Sequence, residues 1–86
     1  MRARLVGLRL TWPITPLYEL CVVPEPLNEF DTNALKVLVK SGTVWHEAGY
    51  INRDAAALLR ERRVKSICAI TAGDGWSIPV KIECVS

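Results

Sequence analysis

Residues 24–37 read PEPLNEFDTNALKV, and they combine a polar loop with the strand that it leads into. The side chains of Asn28, Asp31 and Asn33 are short and can accept hydrogen bonds from neighbouring backbone groups, which is typical of a fixed irregular turn. From Ala34 to Lys40 apolar and basic residues alternate, as in a strand with one buried face. The stretch therefore predicts a structured turn followed directly by a half-buried strand.

Phe30 is the aromatic residue of this loop, and its sequence neighbours are polar or charged. An aromatic ring in such surroundings is expected either to be anchored inward or to be presented at a binding site. The composition of the loop favours a structural turn, and a ligand-binding loop is the alternative interpretation.

Outside this loop the pattern predicts further short strands and one helix. Pro13 and Pro16 interrupt the chain between the first two strands, Ser41–Gly42 predicts a hairpin turn, and Pro79 predicts an edge or a bulge in the last strand. Asn52 is a suitable N-cap for a helix over 53–62, with Ala55, Leu58, Leu59 and Arg62 on one face. The predicted strands are Arg4–Leu10, Tyr18–Val23, Ala34–Lys40, Thr43–Ala48, Val64–Thr71 and Trp76–Val85.

A chain of 86 residues is predicted to be a single domain over residues 1–86. About six short strands with one or two helices indicate a mostly β protein of the α+β class. A flat sheet of this size would expose its edges and one apolar face, so a small six-stranded β-barrel is expected. The pattern does not separate an OB-like from an SH3-like topology.

Composition limits the classes of function. The formal net charge is only +2, so binding to nucleic acid would need a local basic patch. Cys21, Cys68 and Cys84 lack the spacing of a metal site or a disulfide framework, and each is predicted to be a small buried side chain. No cofactor or metal is expected. The N-terminal residues resemble neither a signal peptide nor a membrane span, which favours a cytoplasmic protein without a membrane partner.

The loop and the segment after the hairpin together resemble the HIRAN domain family. The resemblance runs from about Leu20 to Leu59 and more loosely to residues 76–79, and several positions at fixed spacing carry it. In the loop and strand these are Pro26, Asn28, Phe30, Asp31, Asn33, Ala34, Leu35, Lys36 and Val37. After the hairpin they are Gly49, Tyr50, Ile51, Arg53, Ala55, Ala56 and Leu58.

The resemblance implies a compact barrel that binds single-stranded DNA and captures its 3′ end in a surface pocket. The family's loop aspartate, here Asp31, would accept a hydrogen bond from the terminal hydroxyl. Stacking on the terminal base is implied for Phe30 and Trp76, and Tyr50 would stack or donate through its hydroxyl. Relatives that bind DNA ends carry two aromatic residues on the first strand, where this chain offers Trp12. Candidate phosphate contacts are Arg53, Lys36, Arg9, Lys40 and the basic cluster Arg60–Lys65.

Each candidate also has a structural interpretation. Trp76 lies on the apolar face of its predicted strand and can belong to the core, and Asp31 can simply cap the turn. The run of charged residues that begins at Arg60 can be the solvated end of a helix.

The resemblance favours DNA binding by a module that works next to a separate helicase, nuclease or other DNA-processing protein. Two other classes of function stay open. The first is a protein-interaction adaptor on the same barrel, favoured by the small net charge and the incomplete aromatic pair. The second is an enzyme, for which His46 beside Glu47 is the candidate pair. A lone histidine on a strand is more often structural or exposed, so catalysis is not expected.

Overall fold

A computed structural model describes residues 1–72 and 77–85. The described residues form six strands and one helix, which we number in chain order. The strands are β1 (Arg2–Val6), β2 (Glu19–Pro24), β3 (Leu35–Ser41), β4 (Val44–Ile51), β5 (Val64–Ala69) and β6 (Ser77–Cys84), and helix α1 spans Arg53–Leu59.

The six strands form one antiparallel sheet in the order β2-β3-β4-β1-β6-β5. The sheet curls until its two end strands, β2 and β5, lie against each other. Its inner face and α1 together enclose a single cluster of buried apolar side chains, in which Leu5, Val37, Val80 and Leu59 are almost fully buried. The predicted fold class, a small six-stranded β-barrel with a helix, is confirmed.

Strand β1 joins the two halves of the barrel, since it pairs with β4 on one side and with β6 on the other. Where β1 ends, the backbone of Val6 passes so close to Gly49 that a Cβ atom at Gly49 would overlap the Val6 carbonyl oxygen. The adjacent β3–β4 ladder shifts register between Val37 and Leu38, which is the signature of a bulge. Gly49 therefore allows β4 to bend under β1, and only glycine fits there.

The first strand was predicted over Arg4–Leu10, and this range is wrong. The observed strand ends at Val6 because Gly7 has a φ of 64°, a left-handed conformation that turns the chain out of the sheet. The other strands lie where they were predicted to within a few residues, although β4 continues past Ala48 to Ile51. The hairpin turn at Ser41–Gly42 is confirmed by the pairing of Ser41 with Val44.

The helix begins at Arg53 as predicted but ends at Leu59, three residues before Arg62. Ala55, Ala56 and Leu59 are buried, whereas Leu58 and Arg62 are exposed, so the predicted buried face was wrong for those two residues. No helix in the described ranges is long and apolar enough to cross a membrane.

Asn52 precedes the helix, but its side chain does not cap it. The Asn52 Oδ1 atom accepts a hydrogen bond from the Arg4 N–H (2.9 Å), and the Asn52 N–H donates to the Arg4 carbonyl (2.8 Å). The pairing of β1 with β4 thus continues by one residue through this side chain, which is why the amide is not free to cap.

Two further expectations fail for reasons of topology. Pro79 was predicted at an edge or a bulge, but β6 lies between β1 and β5, and its register with β1 is regular at Pro79. The Pro79 carbonyl accepts a hydrogen bond from the Ile70 N–H (3.1 Å), one residue past the end of β5. The N–H that proline lacks would point to the same side, where the β5–β6 ladder has already ended, so no ladder hydrogen bond is lost. Cys68 is exposed and Cys21 and Cys84 are half-buried, because their side chains alternate with inward-facing neighbours.

We expect the Gly49→Ala substitution to lower the free energy of unfolding by roughly 1–3 kcal/mol, the usual cost of forcing an extra methyl group into a packed site. Urea denaturation measures this loss. Gly42→Asn is the control, since Gly42 has open space around it and asparagine tolerates its φ of 64°. Equal effects of the two substitutions would contradict the close crossing.

Candidate functional site

The 25–34 loop is held in one conformation by its own hydrogen bonds. The Glu25 N–H donates to the Ala34 carbonyl (2.9 Å), which closes the loop at its base. Inside it, the Asn28 Oδ1 atom accepts from the N–H groups of Phe30 (2.9 Å) and Asp31 (3.0 Å). The prediction of a structured turn is confirmed, and Asn28 is the side chain that organises it.

Asp31 links this loop to the helix. One carboxylate oxygen accepts from the Asn33 N–H (2.9 Å), and the other lies 3.5 Å from the Arg53 Nε atom. The Arg53 guanidinium group also donates to the Phe30 carbonyl (2.9 Å). Because Arg53 is the first residue of α1, the tip of the loop is fixed against the start of the helix.

Phe30 is presented to solvent, with 81% of its surface exposed, so the alternative that it is anchored inward is wrong. Phe30 lines an open concavity of about 530 Å³ together with Tyr50. Asp31 does not line this concavity; its carboxylate lies beside the rim, toward Arg53. The residues around the concavity are Glu25, Pro26, Leu27, Asn28, Glu29, Phe30 and Tyr50.

A network of charged side chains lies on the outer face of β3 and β4. The Lys36 Nζ atom lies 2.8 Å from carboxylate oxygens of both Glu25 and Glu47. The Tyr50 hydroxyl donates to Glu25 (2.8 Å), and Arg9 lies 3.4 Å from Glu47. Two basic and two acidic residues therefore neutralise one another beside the concavity.

These contacts change the protonation of the groups involved. The hydrogen bond from Lys36, followed by that from Tyr50, lowers the pKa of Glu25 from 4.5 to about 2. The hydrogen bond from Lys36 also lowers the pKa of Glu47, and the two carboxylates raise the pKa of Lys36. The hydrogen bond to Glu25 raises the pKa of Tyr50, so its hydroxyl stays protonated near neutral pH.

The predicted site residues divide into groups. Phe30, Asp31 and Arg53 contact one another, and Tyr50 lines the same concavity as Phe30. Lys36 and Arg9 belong to the neighbouring ion network.

Trp12 lies elsewhere, with its ring 5.1 Å from Tyr18 and 6.0 Å from His46. Because His46 is four positions before Tyr50 on β4, this aromatic group is about 13 Å away along the strand. Lys40 lies over the ring of Trp45 at 5.7 Å. Trp76 is outside the described residues.

Glu25 is the residue that sequence analysis missed. It contacts Lys36, Tyr50 and Asn28, yet Lys36 is eleven positions and Tyr50 twenty-five positions away in sequence. The alternating pattern of β3 places Lys36 on the outer face, but only the register of β2 against β3 brings Glu25 to it. Knowledge of that register would have been needed to find the contact.

Comparison of the chain with family models, with curated proteins and with solved structures finds no significant match. The resemblance to HIRAN domains therefore stays a prediction that rests on the residues quoted above. Within the described ranges, no group of three or more histidine, cysteine, aspartate or glutamate residues could hold a metal ion.

Acid should weaken the protein through Glu25. Because its pKa is lowered in the folded state, Glu25 stabilises the fold above pH 4.5 and loses that contribution as the pH falls toward 2. We expect the difference in urea midpoint between the wild type and Glu25→Gln to be largest at pH 7 and to shrink by pH 2. Glu29→Gln, whose side chain has no hydrogen bond or ion pair within the described ranges, should follow the wild type at every pH. A difference between wild type and Glu25→Gln that is constant with pH would contradict this.

Proposed function

We propose that this protein is a binding module for single-stranded DNA that captures a 3′ end on the surface formed by the 25–34 loop and the start of α1. One observation carries the proposal: Phe30 is 81% exposed on backbone that side-chain hydrogen bonds hold in place, beside a cationic Arg53. An exposed aromatic ring next to a guanidinium group is the combination that binds a base and its phosphate.

Stacking accounts for affinity without sequence preference. A base stacked on an aromatic side chain contributes about 1–3 kcal/mol, and every base has a face that can stack. Because the hydrogen bonds of Asn28 already fix the backbone of Phe30, little conformational entropy is lost when a base binds. Tyr50, which lines the same concavity, would offer a second ring surface to the same base or its neighbour.

Asp31 would supply the preference for an end. An ionised carboxylate has about four acceptor positions, and here the N–H of Asn33 and the guanidinium group of Arg53 occupy only part of them. A terminal hydroxyl can donate to the remaining lone pairs. A phosphate at the same place would be repelled by the like charge, so a continuing strand would bind less well.

Phosphate contacts are assigned chiefly to Arg53, which lies 3.5 Å from Asp31 but has a side chain that is 73% exposed. Lys36 and Arg9 are compensated by Glu25 and Glu47 and would add little positive potential. Since each neutralised phosphate contributes to the salt dependence of binding, a site with few free cations should show a shallow dependence.

A protein-interaction adaptor is the second candidate. Leu27 is 96% exposed on the same loop as Phe30, and Glu29 lies between them in sequence. Two exposed apolar side chains beside acidic groups suit a protein partner better than a polyanion.

Phe30→Ala should weaken binding of a fluorescently labelled oligothymidylate by about 5- to 150-fold, the equivalent of one lost stacking interaction. Leu17→Ala is the matched control, because it removes a similarly exposed apolar side chain (97%) that lies outside the 25–34 loop and should leave DNA affinity unchanged. Fluorescence anisotropy measures both. If the two variants bind like the wild type, Phe30 is not a stacking platform.

The preference of the protein for a 3′-hydroxyl over a 3′-phosphate tests the proposed role of Asp31. We expect the wild type to bind an oligonucleotide with a 3′-hydroxyl at least ten times more tightly than the same strand with a 3′-phosphate. Asp31→Asn should reduce that ratio toward one, because the amide keeps an acceptor for the Asn33 N–H but loses the charge. Asp54→Asn, an exposed acid in the first turn of α1, should keep the ratio. Equal affinity of the wild type for both ends would exclude end recognition.

A further inference from the structure

A second concavity lies where the barrel is not closed by hydrogen bonds. It is a groove of about 740 Å³ that follows the seam between β2 on one side and the turn from α1 into β5 on the other. Its walls include Val22, Pro24, Leu35 and Leu59, which give it an apolar floor. None of the described residues that line it is aromatic.

The edge of β2 that borders this groove is not paired with another strand in the described ranges. The Glu25 N–H donates to the Ala34 carbonyl, and the direction of the backbone polar groups alternates from residue to residue along an antiparallel strand. The odd-numbered residues of β2 therefore direct their N–H and C=O groups toward β3. Val22 and Pro24 are even-numbered, so their backbone polar groups point away from β3, toward the seam. Although β2 and β5 lie against each other, no backbone hydrogen bond joins them in the described ranges, so the N–H and C=O of Val22 and the C=O of Pro24 have no backbone partner.

The rim of the groove is basic. Arg60, Arg62 and Arg63 line it together with one acid, Glu61. Within residues 1–72 and 77–85, the guanidinium groups of these three arginines take part in no ion pair and donate no hydrogen bond. In contrast, Arg9, Lys36 and Arg53 all have carboxylate partners. Eleven lysine and arginine residues are described, and three of the eight that have no carboxylate partner line this groove.

We propose that this groove binds an extended acidic segment of a partner protein, which adds a strand to the edge of β2. In such a strand, every second side chain would face the apolar floor, and the intervening acidic side chains would reach the arginines. The N–H and C=O groups of Val22 would pair with the C=O and N–H groups of one residue in the added strand.

A nucleic acid fits these features less well. A phosphodiester backbone has no counterpart to the alternating N–H and C=O groups of a strand, and the described residues that line the groove offer no ring on which a base could stack. The peptide site takes in Pro26, Thr32, Asn33 and Ala34 of the 25–34 loop, but none of the residues to which the proposed function assigns a DNA contact. Pro26 borders both concavities, but Phe30 and Tyr50 line only the other one.

Selection of seven-residue peptides from a random display library on the full chain tests the proposal. Enriched peptides should alternate aspartate or glutamate with valine, isoleucine or leucine. A synthetic copy of the most enriched peptide should bind the Arg60→Glu, Arg63→Glu double variant at least ten-fold more weakly than the wild type. Both arginines are exposed, and circular dichroism would verify that the variant is folded.

Two controls separate this site and this binding mode from others. Arg53→Glu changes the DNA surface and should leave peptide affinity unchanged, so the peptide site and the proposed DNA function can fail independently. N-methylation of the peptide amides that face β2 should abolish binding, whereas methylation of the alternate amides should not. The proposal is overturned if no acidic peptide is enriched, if charge reversal has no effect, or if the double variant loses affinity for an oligonucleotide instead.

Discussion

The close crossing of β1 over β4 at Gly49 is the constraint on which this small barrel depends. Strand β1 is short, and it pairs with β4 through Leu5 and Val6 only, while five of its residues pair with β6. With no side chain at Gly49, the carbonyl of Val6 can approach the backbone of β4 and bring the two halves of the sheet together. The barrel then closes around Leu5, Val37 and Val80, which supply the hydrophobic stabilisation of so short a chain.

The same crossing determines where the candidate site lies. Tyr50 follows Gly49 on the outer face, opposite Lys36 and next to Val6. The register of β2 against β3 then brings Glu25 to both Lys36 and Tyr50, and the 25–34 loop starts from that point. The loop is therefore anchored at its base by an ion network and at its tip by Arg53, which leaves the ring of Phe30 exposed on a fixed support.

Local patterns predicted what depends on neighbours in sequence. The alternation around Val37 located a strand, and the short polar side chains around Asn28 indicated a fixed turn. Long-range pairing could not be predicted in the same way, so Glu25 was missed and Trp12 was assigned to a pocket that it does not reach. Alternation along β2, β5 and β6 also decides the exposure of the cysteines, which hydrophobic composition alone does not indicate.

The outer surface thus offers a fixed aromatic loop and, next to it, a basic groove along a free strand edge. The central claim is that the loop receives the end of a DNA strand, and NMR mapping of backbone amides tests it most directly. On addition of a short oligothymidylate with a 3′-hydroxyl, we predict the largest shifts at Phe30, Asp31 and Arg53, with Trp12 unaffected. Shifts confined to other surfaces, or no shifts at millimolar DNA, would contradict the account.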